Sequence, residues 1–109
     1  MDYKIVYTPE FEKELKRLSG KYPSIRSDFS HFLDELSANP EQGTSLGNHC
    51  YKVRFGIKSK SRGKSGGARV ITCVKIIVET VILISIYDKS ERATITDKEI
   101  KERLRKYEL

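Results

Sequence analysis

The sequence predicts an α+β fold in the order βααβββα: a small, mainly antiparallel sheet with an N-terminal helical hairpin packed on one face and a C-terminal helix. Three observations carry this. Apolar residues recur at helical spacing from Phe11 to Leu36, the period changes to two from Cys50, and Thr96 to Glu99 spells a helix start ahead of the last apolar stripe. With 109 residues, 38% apolar and 33% charged, the chain reads as one domain spanning 1–109, a modest core under a charged surface.

Each element has its own signature. YKIVY (Tyr3 to Tyr7) is β-branched and aromatic, and Thr8-Pro9 closes it with an N-cap and a first-turn proline. Phe11, Leu15 and Leu18 then mark a short amphipathic helix ending at Gly20. Ile25, Phe29, Phe32, Leu33 and Leu36 mark a longer one that stops before Asn39-Pro40. In CYKVRF, Tyr51, Val53 and Phe55 point one way while Cys50, Lys52 and Arg54 point the other, so the strand shows a basic stripe on its second face. ARVITCVKIIV and TVILISIY read as the two central strands, turning near Glu79. Thr96-Asp97-Lys98-Glu99 is a capping box, and Ile100, Leu104 and Tyr107 are the apolar stripe of the helix it opens.

The charge is concentrated. Between Glu41 and Glu79 there is no acid, while Lys52, Arg54, Lys58, Lys60, Arg62, Lys64, Arg69 and Lys75 supply eight positive charges, more than the whole net charge of +6. Such a field attracts polyanions, nucleic acid first and an anionic membrane surface second. Cys50 and Cys73 lack C-x-x-C spacing, and with His49 they lack zinc spacing, so reduced structural thiols and no metal are expected. The opening MDYKIVYTPE has an early acid and no long apolar run, from which neither a signal peptide nor a membrane anchor is expected, and a cytoplasmic location is.

Gly63-Lys64-Ser65 looks like the tail of a nucleotide-binding P-loop, but Lys58 stands where its first glycine belongs, and a strand pattern, not a helix, follows. What remains is a basic, glycine-rich loop whose donors suit a sugar-phosphate backbone. A hairpin loop with solvated charges is the alternative.

CYKVRF, then GKSGGARVI, LISIYDKSE and the capped TITDKEIKERLRK together resemble the RelE/ParE superfamily of bacterial toxins, most closely its HigB-like RelE branch. The resemblance spans nearly the whole chain, with its specific motifs in the second half. It implies a toxin of a type II toxin-antitoxin system: a ribosome-dependent mRNA endonuclease that inhibits translation, uses attack by the RNA's own 2'-hydroxyl, and needs no metal or cofactor. The implied partners are a cognate antitoxin encoded beside it, the ribosome and mRNA, with no membrane role and a monomer when free. A ParE-like gyrase-targeting toxin without nuclease activity and a non-catalytic RNA-binding protein are the alternatives.

The positions matching the family's motifs are Lys52, Arg54, Arg69 and Lys89. Of these Arg54, Arg69 and Lys89 are the catalytic candidates, Arg69 as a guanidinium clamp on the scissile phosphate. Asp88 and Glu91 flank Lys89, and Glu91 joins the catalytic set as base or lysine-positioning group, with a plain ion pair as its alternative. Lys52, Lys58, Lys60, Arg62, Lys64, Tyr87 and Arg92 complete the expected RNA-binding set; Tyr87 is either a stacking platform or a core tyrosine. His31 reads as a surface residue, and His49 as a weaker site candidate. Several RelE toxins carry a functional tyrosine shortly after the last strand where this chain has Thr94-Ile95, which leaves the general acid and base open.

Overall fold

The computed structural model describes residues 3–60, 67–92 and 94–107. Among these, the elements are β1 (Lys4–Tyr7), α1 (Pro9–Lys21), α2 (Ile25–Ala38), β2 (Thr44–Gly47), β3 (Cys50–Phe55), a 3₁₀ turn (Lys58–Lys60), β4 (Ala68–Lys75), β5 (Thr80–Asp88) and α3 (Asp97–Arg105). Five strands form one sheet in the order β1-β5-β4-β3-β2, antiparallel except for the parallel β1–β5 pair. No helix among the described residues is long and apolar enough to cross a membrane.

The local signals act as expected. Thr8 Oγ1 accepts from Phe11 N (3.1 Å) and opens α1, while Thr96 Oγ1 accepts from Glu99 N (3.2 Å) and opens α3. α1 and α2 lay Phe11, Leu18, Ile25, Phe32 and Leu36 on Val53, Phe55, Val70, Val81 and Leu83. The opposite face carries a second cluster, in which Ile95, Ile100 and Leu104 cover Cys50, Ile71, Cys73, Ile82, Ile84 and Tyr87.

The structure departs from the sequence reading in two places. β2 is an additional, fully exposed edge strand; it joins β3 through Asn48 and His49, both at positive φ (52° and 60°), the backbone of a two-residue hairpin turn. Its sequence signal is the Gly47-Asn48 pair. The long run after Ala68 also ends early: Ile76, Ile77 and Val78 leave the strand and, with Glu79 N donating to Ile76 O (3.1 Å), form the β4–β5 turn.

β1 pairs with β5 only as far as Leu83, which leaves the outer edge of β5 open beyond that point. Side chains satisfy it. Glu14 accepts from Ser85 Oγ (3.0 Å) and Ile86 N (3.2 Å), and Arg103 donates to Ile84 O (3.0 Å) and, through two nitrogens, to Glu14 (3.0 and 3.1 Å). α1 and α3 are thereby tied across a strand edge that would otherwise present unpaired backbone groups.

β5 also carries a bulge. Ile71 faces Ser85 while Thr72 faces Leu83, so Ile84 has no opposite number on β4. The extra residue reverses the alternation: Val81, Leu83 and Ile86 lie in the cluster under α1 and α2, whereas Ile82, Ile84 and Tyr87 lie in the other. Downstream of the bulge, Tyr87 comes to the face of Arg69, and Asp88 comes to the face of Ala68.

Candidate nucleic-acid interface

Lys52, Arg54, Arg69 and Tyr87 share the face away from α1 and α2. The register sets Arg54 opposite Arg69 and Arg69 opposite Tyr87, a row across three strands. Val74 N donates to His49 O (2.9 Å), which makes His49 and Val74 a hydrogen-bonded pair. Counting along the antiparallel ladder, Arg54 and Arg69 then form a non-hydrogen-bonded pair, the kind that brings Cα atoms to about 4.5 Å and side chains closest together. Like charges directly opposed in this way destabilise a sheet. An anion bridging the two guanidiniums would reverse that penalty.

The two arginines differ in setting. Arg54 is exposed, while Arg69 is only 7% exposed and donates from Nη1 to Ala68 O (3.0 Å). Gly67 ends the basic loop just before them, and its residue type is forced: a Cβ there would stand 2.4 Å from Phe55 O. Lys89 N donates to Gly67 O (3.2 Å), so the turn bearing the exposed Lys89 adjoins the foot of the loop. Lys52 Nζ reaches Thr94 Oγ1 (3.3 Å). Arg92 donates to Thr94 O (2.7 Å) and pairs with Glu99 (2.5 Å), which ties it to the start of α3 at the rim.

Asp88 is the group that sequence reasoning undervalued. Its carboxylate is fully buried and accepts from Tyr22 Oη (2.5 Å), Ser90 N (2.9 Å), Ser90 Oγ (2.7 Å) and Lys60 Nζ. Burial pushes this carboxyl up, but the hydrogen bonds from Lys60, Tyr22 and Ser90 outweigh it and hold the group well below the usual carboxylate range. The clamp joins the end of α1, the 3₁₀ turn and the end of β5 on the far side from Arg69.

Three site expectations change accordingly. Lys60 pairs its ammonium with Asp88 and leaves only 13% of its side chain exposed, a setting that favours a structural role over an RNA contact. Glu91 accepts from Arg17 (2.8 Å) and Lys21 (3.1 Å) on α1, which lower its carboxyl pKa, so it is a tether and a poor proton acceptor. Tyr87 lies buried in the cluster with Ile95 and Ile100, its hydroxyl buried without a hydrogen-bond partner among the described residues, a setting that favours the core-tyrosine alternative over a stacking platform.

Lys58 is exposed, its backbone N held by Asp28 (3.1 Å). Arg62 and Lys64 lie outside the described residues. His49 sits in the β2–β3 turn, five residues from Arg54 and hence about 17 Å along the strand, too far to share a phosphate with it. The described residues contain no cluster of three or more potential metal ligands.

The two acids beside Lys89 are thus both folded toward α1 and the 3₁₀ turn. Asp88 and Glu91 therefore lie away from the strand face that carries Arg54 and Arg69. This arrangement can hold a phosphodiester and stabilise added negative charge on phosphorus.

No family model matches the sequence, and no curated protein matches it. Solved structures do. The chain is similar to a double-arginine mutant of the E. coli toxin RelE in the free state, with 20% identity, a TM-score of 0.64 and complete coverage of both chains. It is similar to the same mutant in complex with a peptide of the antitoxin RelB (19% identity, TM-score 0.62, 94% of each chain). It is also similar to the RelBE2 toxin-antitoxin complex of Mycobacterium tuberculosis (16% identity, TM-score 0.60, 81% of this chain and 99% of that one). The chain has the fold of the RelE toxins.

Proposed function

We propose that this chain is the toxin of a type II toxin-antitoxin system and acts as a ribosome-dependent mRNA endonuclease. One observation carries the reading. Arg54 and Arg69 are held directly opposite each other on the strand face away from α1 and α2, Arg54 exposed and Arg69 buried, while Asp88 and Glu91 are drawn to the other side. The fold shared with RelE toxins and the complexes that those form with antitoxins support it.

Cleavage through the 2'-hydroxyl needs the phosphate held in line, charge on the phosphorane-like transition state stabilised, and protons moved at two oxygens. Arg69, buried and anchored by Ala68 O, is the fixed guanidinium, and Arg54 is the exposed one. Lys89 approaches from the end of β5 as a third cation, with Lys52, Lys58 and Arg92 along the flanks as backbone contacts. Tyr87, next to Arg69 in the row, is buried and packs behind the guanidinium, so the proton-transfer groups are left to other residues or to the RNA and ribosome. Glu91 takes no proton in this scheme.

Mapping the 5' ends of cellular mRNA after brief induction tests the proposal. New ends inside translated frames, absent when ribosomes are removed, are expected. Growth arrest with intact messages would refute the nuclease, and arrest with damaged DNA would point to a gyrase poison.

A further inference from the structure

The β4–β5 turn breaks the ordinary rules of turn chemistry. Turns favour Gly, Asn, Asp or Pro, because they need unusual backbone angles and face water. Here the turn is Ile76-Ile77-Val78-Glu79, with Glu79 at φ 47° and Ile76, Ile77 and Val78 exposed by 47%, 98% and 64%. Three β-branched apolar side chains are displayed where local preference calls for small polar ones. Such a conflict between local sequence and local structure marks a place shaped for something other than folding.

Beneath the turn lies a groove of about 890 Å³ floored by Val6, Val74, Ile82 and the ring of Tyr107. It runs past Asn48 and Lys75 into a second hollow of about 420 Å³ bordered by Lys101 and Arg105 of α3. Lys75, Lys101 and Arg105 line this hollow with one acid, Asp97, an excess of positive charge beside an apolar floor. That excess selects the occupant. A second copy of this chain would bring the same cations against these and be repelled, and RNA has no use for Ile77. An apolar segment flanked by acids fits both the floor and the rim.

We propose that the β4–β5 turn and this groove form the docking surface for the antitoxin, through a segment that presents apolar side chains between acidic ones. The proposal rests on the reading of the chain as a toxin, but not on its nuclease activity. Arg69 and Lys75 stand at opposite ends of β4, six residues and so about 20 Å apart. The docking surface is therefore separate from the phosphate-binding row.

The test uses the purified chain and the product of the adjoining reading frame, with affinity measured by calorimetry. Ile77→Lys and Lys75→Glu each weaken the complex about tenfold or more, while the free variants cleave mRNA on ribosomes as the wild type does. Unchanged affinity in Ile77→Lys overturns the proposal. So does a wild-type dimer, seen by sedimentation, that Ile77→Lys abolishes, since the turn would then hold a second copy. If the adjoining product does not bind while cleavage persists, the docking proposal fails and the nuclease reading stands. If the complex behaves as described but no message is cut, the nuclease reading fails and the docking surface stands.

Discussion

Replacing Asp88 is the sharpest test of how the site is held. Its carboxylate is fully buried and has partners on three elements: Tyr22 at 2.5 Å, Ser90 through its backbone N and Oγ at 2.9 and 2.7 Å, and Lys60. Asp88→Ala strands an ammonium and a phenol around an empty space, and breaking a buried pair in this way costs about 3–5 kcal/mol. Lys60 keeps 13% of its side chain exposed and can turn toward water, which reduces the expected loss to about 2–4 kcal/mol. At about 4 °C per kcal/mol for a domain of this size, the melting temperature falls by roughly 8–16 °C. Asp88→Asn keeps the shape and one acceptor but loses the charge, and falls between the two. Urea unfolding at constant m-value reads both.

The pH dependence follows from the same carboxyl, whose folded pKa lies below its unfolded value. The stabilisation is complete above the unfolded pKa of about 3.9 and is lost as pH drops through the folded one. Wild-type stability therefore falls away below about pH 4, and Asp88→Asn flattens that limb. An Asp88→Ala protein within about 0.5 kcal/mol of wild type would refute the clamp. A Lys60→Met/Asp88→Asn cycle with no coupling would refute the pairing.

Three further outcomes are expected. Arg54→Gln relieves the like-charge pair with Arg69 and leaves stability equal or higher by about 0.2–1 kcal/mol, while RNA binding weakens and its salt slope falls by about one; denaturation and salt-titrated binding on the same sample show whether the gain and the loss occur together. Gly67→Ala puts a Cβ 2.4 Å from Phe55 O and costs about 1–3 kcal/mol, whereas Gly20→Ala in α1, with open space around it, gains about 0.5–1 kcal/mol; equal effects in urea unfolding would contradict the close approach. Glu91→Gln removes the ion pairs of Glu91 with Arg17 and Lys21 and lowers the cleavage rate less than about fivefold, against about 100-fold or more for a lost general base, a difference that single-turnover cleavage on ribosomes resolves.

Much of this arrangement was legible in the sequence, because its elements announce themselves locally. Thr8-Pro9 and Thr96 to Glu99 fix helix starts through side-chain oxygens, and the alternation in CYKVRF puts Lys52 and Arg54 on the face that the structure gives them. Where local chemistry is ambiguous, the reading fails. β2 is four exposed residues with no apolar face, so it has no period to detect. The overrun into Ile76, Ile77 and Val78 has the opposite cause: apolar, β-branched residues occupy a turn, and a propensity argument extends the strand through them. Nor does composition distinguish Lys60 from the other lysines of the basic loop. Only the fold brings it to Asp88.

The deeper obstacle is the bulge at Ile84. In TVILISIYD apolar residues fill both faces of β5, so alternation carries no information about which side chain points where. An unbroken period would keep Ile86 and Asp88 with Ile82 and Ile84, and would turn Tyr87 toward α1. One inserted residue exchanges them. Tyr87 reaches the arginine row, and Asp88 reaches Tyr22 and Lys60 instead of lying beside Arg69 as its counter-ion. A carboxylate next to Arg69 would neutralise the guanidinium and compete with any phosphate for it. The cationic character of the face therefore depends on the bulge as much as on the arginines. Deleting Ile84 would leave every charge in the sequence and remove the separation that makes them useful.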